Sequence, residues 1–221
     1  MEDSQALEWL NRFIELAPAR CKTCAFKQVL GDEWKFVPPE SIAGVNAKYF
    51  IVGQNPGVIE LKLGKPFVGR SGKLLDRLLR ESSIARDECW ISNACKCKAL
   101  SNHAKETSSG YANLEIMKGA AYSCITRHLI HELDEWSLQY AITGQRKAII
   151  VLGGIAARAL RIPTYSQSMK AARFIVINDG RFPGIPILRE AHPAYLLRTG
   201  WDDYPKVLQS FKQLRSLVIV K

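Results

Sequence analysis

The residues with the clearest chemical potential in this chain are two side-chain amides in a turn that follows an apolar run. Residues 49–52 form the run, and Gly53-Gln54-Asn55-Pro56-Gly57 follows it directly. The run predicts a buried strand, and open α/β sheets bind their ligands at the carboxyl ends of strands. Amides at this position can bind a substrate or hold a water molecule. Taken alone, however, a Gly-x-x-Pro-Gly sequence is more often a simple turn.

The cysteines, at positions 21, 24, 89, 95, 97 and 124, offer a second kind of chemistry. The Cys21-x-x-Cys24 spacing lets two thiolates bind one metal centre, and four thiolates suit either zinc or an iron–sulfur cluster. A redox Cys-x-x-Cys normally follows a strand, and no strand is predicted before this pair. Cys97 and Cys124 are the best candidates for the remaining ligands, and Cys95 competes directly with Cys97. Cys89 is interpreted as a buried small hydrophobic residue.

Alternating strands and helices must position these residues. Apolar runs predict strands, and apolar residues at helical spacing predict helices. This pattern favours a single domain over residues 1–221, a three-layer α/β/α sandwich around a central, mainly parallel four-stranded sheet. A polar stretch at 100–110 is interpreted as a loop. The strands are predicted at 47–52, 90–93, 147–152, 174–177 and 185–188, and the helices at 4–16, 71–81, 122–138, 155–160 and 203–218.

Charge and composition indicate which classes of partner the protein can bind. The chain has 221 residues, 47% hydrophobic and 24% charged, which is typical of a globular protein. A net charge of +10 favours a polyanion such as nucleic acid, although a generally basic surface is the alternative. No apolar run reaches the roughly 18 residues of a membrane span, and the N-terminus lacks the pattern of a signal peptide. We therefore expect a cytoplasmic, DNA-associated monomer that does not contact membranes.

Several motifs occur together, in a specific order and spacing. They are Cys21-x-x-Cys24, the Gly53–Gly57 turn, Gly64-Lys65-Pro66-Phe67-Val68-Gly69-Arg70-Ser71-Gly72, Ile91-Ser92-Asn93, Lys96-Cys97-Lys98, Cys124 and His192-Pro193-Ala194-Tyr195-Leu196-Leu197-Arg198. From about residue 21 to about residue 214, this set resembles the iron–sulfur-containing uracil-DNA glycosylases, often called family 4. The resemblance implies hydrolysis of the N-glycosidic bond of deoxyuridine in DNA, which leaves an abasic site without strand cleavage. Other deaminated bases remain open as substrates.

The resemblance also implies a cofactor. It selects Cys97 rather than Cys95 as the third ligand and Cys124 as the fourth, beside Cys21 and Cys24. The implied group is a [4Fe-4S] cluster that serves structure and DNA binding, and a structural zinc is the alternative. The segment between Cys97 and Cys124 is longer than is usual in the family.

The resemblance implies roles for residues around a flipped-out uracil. Phe67 would stack on the base, Asn93 would bind its N3–H and O4, and His192 would bind O2 as the base leaves. The structural alternatives are that Phe67 packs in the core, that Asn93 is a turn residue at a strand end, and that His192 has only a structural role. A wedge entering the duplex would come from Leu196, Leu197 and Arg198, unless one leucine packs in the core.

The first turn departs from family 4, which usually has Gly-Glu-x-Pro-Gly. Gln54 replaces the acidic residue, and Asn55 resembles the Asn of the mismatch-specific and single-strand-selective glycosylases, where it positions the attacking water. Gln54 would contact uracil O2 or that water. Glu60 matches an acidic position of family 4 and would stabilise the sugar cation or orient water, unless it is a solvated loop carboxylate.

Basic residues flank these motifs and would contact phosphates. The candidates are Lys62, Lys65, Arg70, Lys96, Lys98 and Arg198, with Ser71 and Gly72 offering backbone N–H groups at a helix start. Two alternatives to the enzyme remain. One is a protein that traps uracil-DNA covalently, although the loop with His103 and Lys105 lacks the Lys-Arg-Arg-Ile-His sequence of such relatives. The other is a non-catalytic iron–sulfur DNA-binding module.

Overall fold

A twisted sheet forms the centre of the molecule in the computed structural model, which describes residues 3–97, 123–160, 174–176 and 184–219. Its strands are β1 (Tyr49–Gly53), β2 (Cys89–Asn93), β3 (Ala148–Leu152), β4 (Phe174–Val176) and β5 (Pro186–Glu190). Their order in the sheet is β2-β1-β3-β5-β4. The first four strands in this order run parallel, and β4 pairs antiparallel with β5 at the edge.

Helices cover both faces of this sheet. α4 shows why they dock, because Leu74, Leu75, Leu78 and Leu79 repeat at helical spacing and all four are buried. The described helices are α1 (Asp3–Arg20), α2 (Ala25–Leu30), α3 (Val58–Leu63), α4 (Arg70–Glu81), α5 (Ile130–Thr143), α6 (Gly154–Ala159), α7 (Pro193–Thr199) and α8 (Tyr204–Ile219). A π-helical turn, Ile125–Leu129, leads into α5.

Two hydrophobic cores lie on opposite faces of the sheet, so the predicted three-layer α/β/α sandwich is confirmed. Alternate residues of one strand point to opposite faces. Phe50 and Val52 accordingly pack in one core, with Trp136 of α5, whereas Ile51 packs in the other with Leu75. Among the helices that the structure describes, none combines the length and apolar character needed to cross a bilayer.

The predicted elements differ from the structure mainly at short or modified segments. The strands are reproduced within about two residues, but three short helices, α2, α3 and α7, were not predicted because six or seven residues give too little periodicity. The predicted helix at 122–138 is interrupted by the π turn and continues to Thr143. The predicted loop at 100–110 lies outside the described residues.

Candidate active site and cysteine centre

Several residues that the sequence predicts to form the site lie at the carboxyl edge of the sheet. Gly53 ends β1 and is the register partner of Asn93, which ends β2. His192 follows β5 by two residues and caps α7. Adjacent parallel strands end at the same edge, so residues distant in sequence meet there.

Phe67 and Asn93 meet over Gly53. A Cβ atom on Gly53 would lie 2.5 Å from Phe67 Cζ and 2.7 Å from Asn93 Oδ1, both far below ordinary contact distance. The site thus requires the absence of a side chain at position 53. Phe67 and Asn93 are 5% and 4% exposed. An aromatic face and a side-chain amide that share one wall can contact the face and the edge of a planar base.

The backbone of Phe67 adopts an uncommon conformation. Its φ is +53°, in the left-handed region that bulky residues avoid. Gly72, in the first turn of α4, permits this conformation, because a Cβ there would lie 1.9 Å from the Phe67 carbonyl oxygen. Strained residues of this kind persist where the surrounding structure fixes them, and they cluster at functional sites.

His192 is held as a neutral imidazole. The backbone N–H of Ala194 donates to His192 Nδ1 at 3.2 Å, so Nδ1 is the acceptor and Nε2 carries the proton. Burial lowers the pKa of His192, and the nearby positive charge of Arg198 lowers it further, although Glu60 acts in the opposite direction. The imidazole stacks beside Phe67, with ring centroids 5.8 Å apart. This arrangement places a neutral N–H donor next to the aromatic wall.

The turn after β1 is fixed to the segment after β2. Ala94 N–H donates to the Gly53 carbonyl and Cys95 N–H donates to the Gln54 carbonyl, each at 2.9 Å. These bonds join the two segments directly beyond the ends of both strands. Asn55 is partly buried, and its Nδ2 donates to the Pro56 carbonyl at 2.9 Å. The bond orients the amide and leaves Oδ1 as an acceptor for a water proton.

Glu60 is buried rather than solvated. Its Oε1 accepts the N–H groups of Val68 at 3.1 Å and Gly69 at 2.8 Å. Its Oε2 lies where a Cβ on Gly57 would approach within 2.6 Å. Glu60 therefore joins the turn after β1 to the segment that carries Phe67, a structural role that the sequence did not suggest.

The predicted DNA-contacting residues differ in their exposure to solvent. Leu196 is fully buried in the core, which corresponds to the alternative stated for one of the two leucines. Leu197 is partly buried and lies nearer the surface. Tyr195 is 37% exposed beside it. Arg70 and Arg198 are exposed, and Ser71 is partly buried at the start of α4. Lys98 lies outside the described residues.

Lys96 is not a phosphate contact, because its ammonium is buried in an ion pair with Glu132. The ammonium also donates to the Ser92 hydroxyl and to the Asn93 carbonyl, the latter at 2.8 Å. Glu132 Oε2 in turn accepts from Ser92 at 2.7 Å and from the Trp90 indole at 3.1 Å. A buried charge needs such a network of partners. The network holds the carboxyl end of β2, which carries Asn93.

The four cysteines selected by the resemblance lie together. Cys21, Cys24, Cys97 and Cys124 line one small cavity, which Trp34 and Phe36 also border. Cys95 is buried in the same cluster, whereas Cys89 packs in the core beside β1, as predicted. Among the described residues, no three His, Cys, Asp or Glu side chains are already arranged as the ligands of a metal ion.

Two thiols of this cysteine centre, the cluster of Cys21, Cys24, Cys97 and Cys124, have pKa values that shift in opposite directions. Burial raises the pKa of Cys21 to about 12, and the neighbouring Cys124 and Cys24 contribute to the rise. Cys124 has a lowered pKa, chiefly because the Cys95 thiol hydrogen-bonds to it. Lys96 N–H also donates to Cys124 Sγ at 3.3 Å. Several buried thiolates in one place would repel one another unless a cation neutralised them.

Sequence reasoning missed the supporting roles of several residues. Gly72 was singled out only for its backbone N–H, although a glycine in the first turn of an amphipathic helix opposes helix propensity and so signals a further role. Glu132 left none, since its partner Lys96 is distant in sequence. Arg86 was also missed, and its Nη2 donates to the Pro66 carbonyl at 3.1 Å, directly before Phe67.

Comparisons with known proteins agree with this geometry. Residues 40–214 match the model of the "Uracil DNA glycosylase superfamily". The type-4 uracil-DNA glycosylase of Thermotoga maritima is 26% identical over 94% of this chain and 96% of its own length. The type-4 enzyme of Saccharolobus solfataricus is 32% identical over 55% of this chain and 54% of its length, and that of Sulfurisphaera tokodaii is 36% identical over 39% and 37%. The match covers most of the chain and all the residues at the sheet edge, and it shows that the chain belongs to the uracil DNA glycosylase superfamily.

Proposed function

We propose that this protein hydrolyses the bond between uracil and deoxyribose in DNA, and that it leaves an abasic site without cutting the strand. The observation that carries the proposal is the shared wall formed by Phe67, Gly53 and Asn93, with His192 beside it. A base inside a duplex cannot reach such a wall, so the target nucleotide must leave the stack. The full-length similarity to a type-4 uracil-DNA glycosylase supports the same substrate.

Recognition of uracil would use both the face and the edge of the base. Stacking on Phe67 contributes about 1–3 kcal/mol and does not distinguish among bases. The Asn93 amide accepts from N3–H through Oδ1 and donates to O4 through Nδ2. Cytosine presents the opposite pattern at these atoms, and a fixed, buried amide left unpaired by cytosine would reject it strongly.

Bond cleavage would rely on stabilising the leaving base. The C1′–N1 bond breaks with its electron pair on uracil, and negative charge develops at O2. The Nε2–H of neutral His192 would donate to that oxygen, a preorganised donor aimed at developing charge. A water oxygen then bonds to C1′, and the water loses its proton to solvent or to the departing uracil anion. We assign the positioning of that water to Asn55 Oδ1, with the adjacent Gln54 contacting the water or O2.

Glu60 would contribute electrostatically rather than as a base. Its carboxylate is occupied by the N–H groups of Val68 and Gly69, yet it remains a buried negative charge beside the catalytic turn. A negative charge there would favour the cation-like sugar of the transition state. Arg70, Arg198 and Lys98, with the backbone at Ser71, would hold the phosphates, and Leu197 would enter the space left by the base.

The proposal is tested with a labelled oligonucleotide that contains one uracil. The protein should produce strand cleavage only after treatment with alkali, because an abasic site breaks under alkali whereas the intact strand does not. The measurement is a denaturing gel with and without alkali. A thymine oligonucleotide of the same sequence is the control.

Other outcomes of this gel would favour other functions. A shifted band that survives denaturant would indicate covalent trapping. DNA binding without cleavage or trapping would indicate a non-catalytic iron–sulfur DNA-binding module. An Asn55→Ala variant should lose turnover far more than affinity, so equal losses of both would contradict the assignment of the water.

We also propose that Cys21, Cys24, Cys97 and Cys124 hold a [4Fe-4S] cluster that serves structure and DNA binding, with zinc as the alternative. The donor set fits, because four buried cysteines line one cavity and thiolates are the ligands of such clusters. Cys95 is buried in the same cluster but does not line this cavity, which supports a role for it as a neighbour of the ligands. The bound cluster would join α2, the start of the helix at residue 124 and the segment after β2.

Matched cysteine variants test the cluster. Freshly purified protein should absorb visible light and contain about four iron atoms per chain. Cys24→Ala and Cys97→Ala should lose this absorbance, because a ligand is missing, whereas Cys89→Ala and Cys95→Ala should keep it. A colourless protein that contains zinc would contradict the cluster, and loss of colour in Cys95→Ala but not in Cys97→Ala would reverse the ligand assignment.

A further inference from the structure

The position of Phe67 requires support from outside its own segment. Its φ of +53° is unfavourable for a residue with a Cβ. Gly72 makes room for the Phe67 carbonyl group but provides no attractive contact through a side chain. Some other group must therefore hold residues 66 and 67 in this conformation.

Glu60 binds the N–H groups of residues 68 and 69, and Arg86 contacts the carbonyl groups of residues 66 and 67. It lies in the turn Arg86–Glu88 before β2, and its guanidinium reaches two successive carbonyl oxygens. Nη2 donates to Pro66 O at 3.1 Å, and Nη1 approaches Phe67 O at 3.5 Å. The planar guanidinium has five N–H donors in fixed directions, so one side chain can serve both carbonyls and still bind carboxylates.

Two carboxylates also bind the guanidinium. Nη1 donates to Asp76 Oδ1 of α4 at 2.5 Å, and Nη2 donates to Glu40 Oε2 at 2.7 Å. The Arg86 side chain is 28% exposed, so solvent screens these ion pairs in part. Exposed ion pairs contribute little to stability, and their value here lies in the orientation they give to Arg86.

Glu40 connects this arrangement to the strand of Asn93. Glu40 N–H donates to Ile91 O at 2.9 Å, and Ile91 N–H donates to Glu40 O at 2.8 Å. Ile91 stands two residues before Asn93 in β2. A continuous set of polar contacts therefore runs from the backbone of Phe67, through Arg86 and Glu40, to the strand that carries Asn93.

We propose that Arg86 is a positioning residue, which sets the placement of the Phe67 ring relative to the Asn93 amide and thereby the fit of uracil between them. The inference rests on the proposed function, because it assumes that Phe67 and Asn93 contact the same uracil. Arg86 touches neither the base nor the reacting atoms and acts through Phe67. Displacement of a positioned group by about 1 Å can cost about 100-fold in rate.

A double-mutant cycle tests this role. Arg86→Gln should lower kcat/KM for uracil release about tenfold in the wild-type background and less than about twofold in Phe67→Ala, because the ring that Arg86 positions is then absent. Arg215→Gln is the matched control, since Arg215 Nε donates to a backbone carbonyl, that of Ser83, at 2.8 Å beyond the far end of α4. It should leave kcat/KM within about twofold.

A binding measurement separates this inference from the proposed function. An oligonucleotide with 2′-fluoro-deoxyuridine resists cleavage, so its affinity relative to a thymine oligonucleotide reports base recognition alone. We expect Arg86→Gln to reduce this preference and Arg86→Lys to give an intermediate value. Thermal unfolding of each variant checks folding.

The outcomes are distinct. A wild-type protein that neither releases uracil nor prefers the uracil analogue refutes the proposed function. A wild-type protein that does both, with Arg86→Gln unchanged or equally harmful in the Phe67→Ala background, refutes the positioning role and leaves the function intact. Equal losses for Arg86→Gln and Arg215→Gln would also refute it, because a general loss of stability would then explain both.

Discussion

Replacement of Asn93 by Asp should reduce uracil release by about four orders of magnitude, because a site built to hydrogen-bond one edge of its substrate discriminates by about 10⁴–10⁵-fold. An ionised Asp accepts hydrogen bonds but donates none, so uracil O4 would face a carboxylate oxygen. Asn93 is 4% exposed, and water cannot relieve that repulsion. The measurement is the single-turnover rate with excess enzyme, which isolates the chemical step from product release.

A matched control accompanies this variant. Asn11→Asp makes the same change on the exposed surface of α1 and should leave the rate unchanged. Visible absorbance and thermal unfolding of the Asn93→Asp protein establish whether the fold is retained. Unchanged uracil release by a folded Asn93→Asp protein would show that the amide does not bind the base.

Replacement of Gly53 by Ala should abolish most uracil release, by about a hundredfold or more, because small displacements within a site have effects of this size. The added methyl group would lie 2.5 Å from Phe67 Cζ and 2.7 Å from Asn93 Oδ1, so both side chains must move away or rotate. The methyl group also projects into the space between them. The measurement is kcat/KM for a uracil oligonucleotide, with thermal unfolding to quantify the cost to stability.

Gly154→Ala is the control for this prediction. Gly154 begins α6 at the same edge of the sheet, and an added Cβ there would meet its nearest atom at 3.7 Å, an ordinary contact. This variant should retain activity within about threefold. If Gly53→Ala retained as much, the space between Phe67 and Asn93 would not be the base pocket.

The three-layer sandwich and its mainly parallel sheet could be predicted from sequence because the strands are apolar, but the strand order and the addition of β4 as a fifth, antiparallel edge strand were not predicted. β1 and β3 are buried along their whole length, which is typical of parallel strands covered on both faces. The grouping of the turn at 53–57 with Phe67, Asn93 and His192 in one site was predicted from the order and spacing of the motifs, not from hydrophobic periodicity. The family match confirms that resemblance, and the register of Gly53 with Asn93 explains why the motifs meet.

Other features depend on docking and could not be predicted. Leu196 and Leu197 are adjacent and chemically identical, so the choice of the buried one follows from how α7 packs on α4. A lysine between two cysteines suggests a basic surface, yet Lys96 is buried because Glu132, 36 positions later, supplies the opposite charge. The structural role of Glu60 likewise depends on docking, because its carboxylate accepts from the backbone of residues 68 and 69, which belong to another segment.

The backbone hydrogen bonds just beyond β1 and β2 have a consequence for how a bound base and a bound cluster would affect each other. Ala94 and Cys95 donate to Gly53 and Gln54, and the same segment carries Asn93 at one end and Cys97 at the other. If the proposed cluster favours one conformation of residues 94–96, it would also favour one position of the Asn93 amide. Thermodynamic reciprocity would then require that a base bound at Asn93 tighten the binding of the cluster by the same factor.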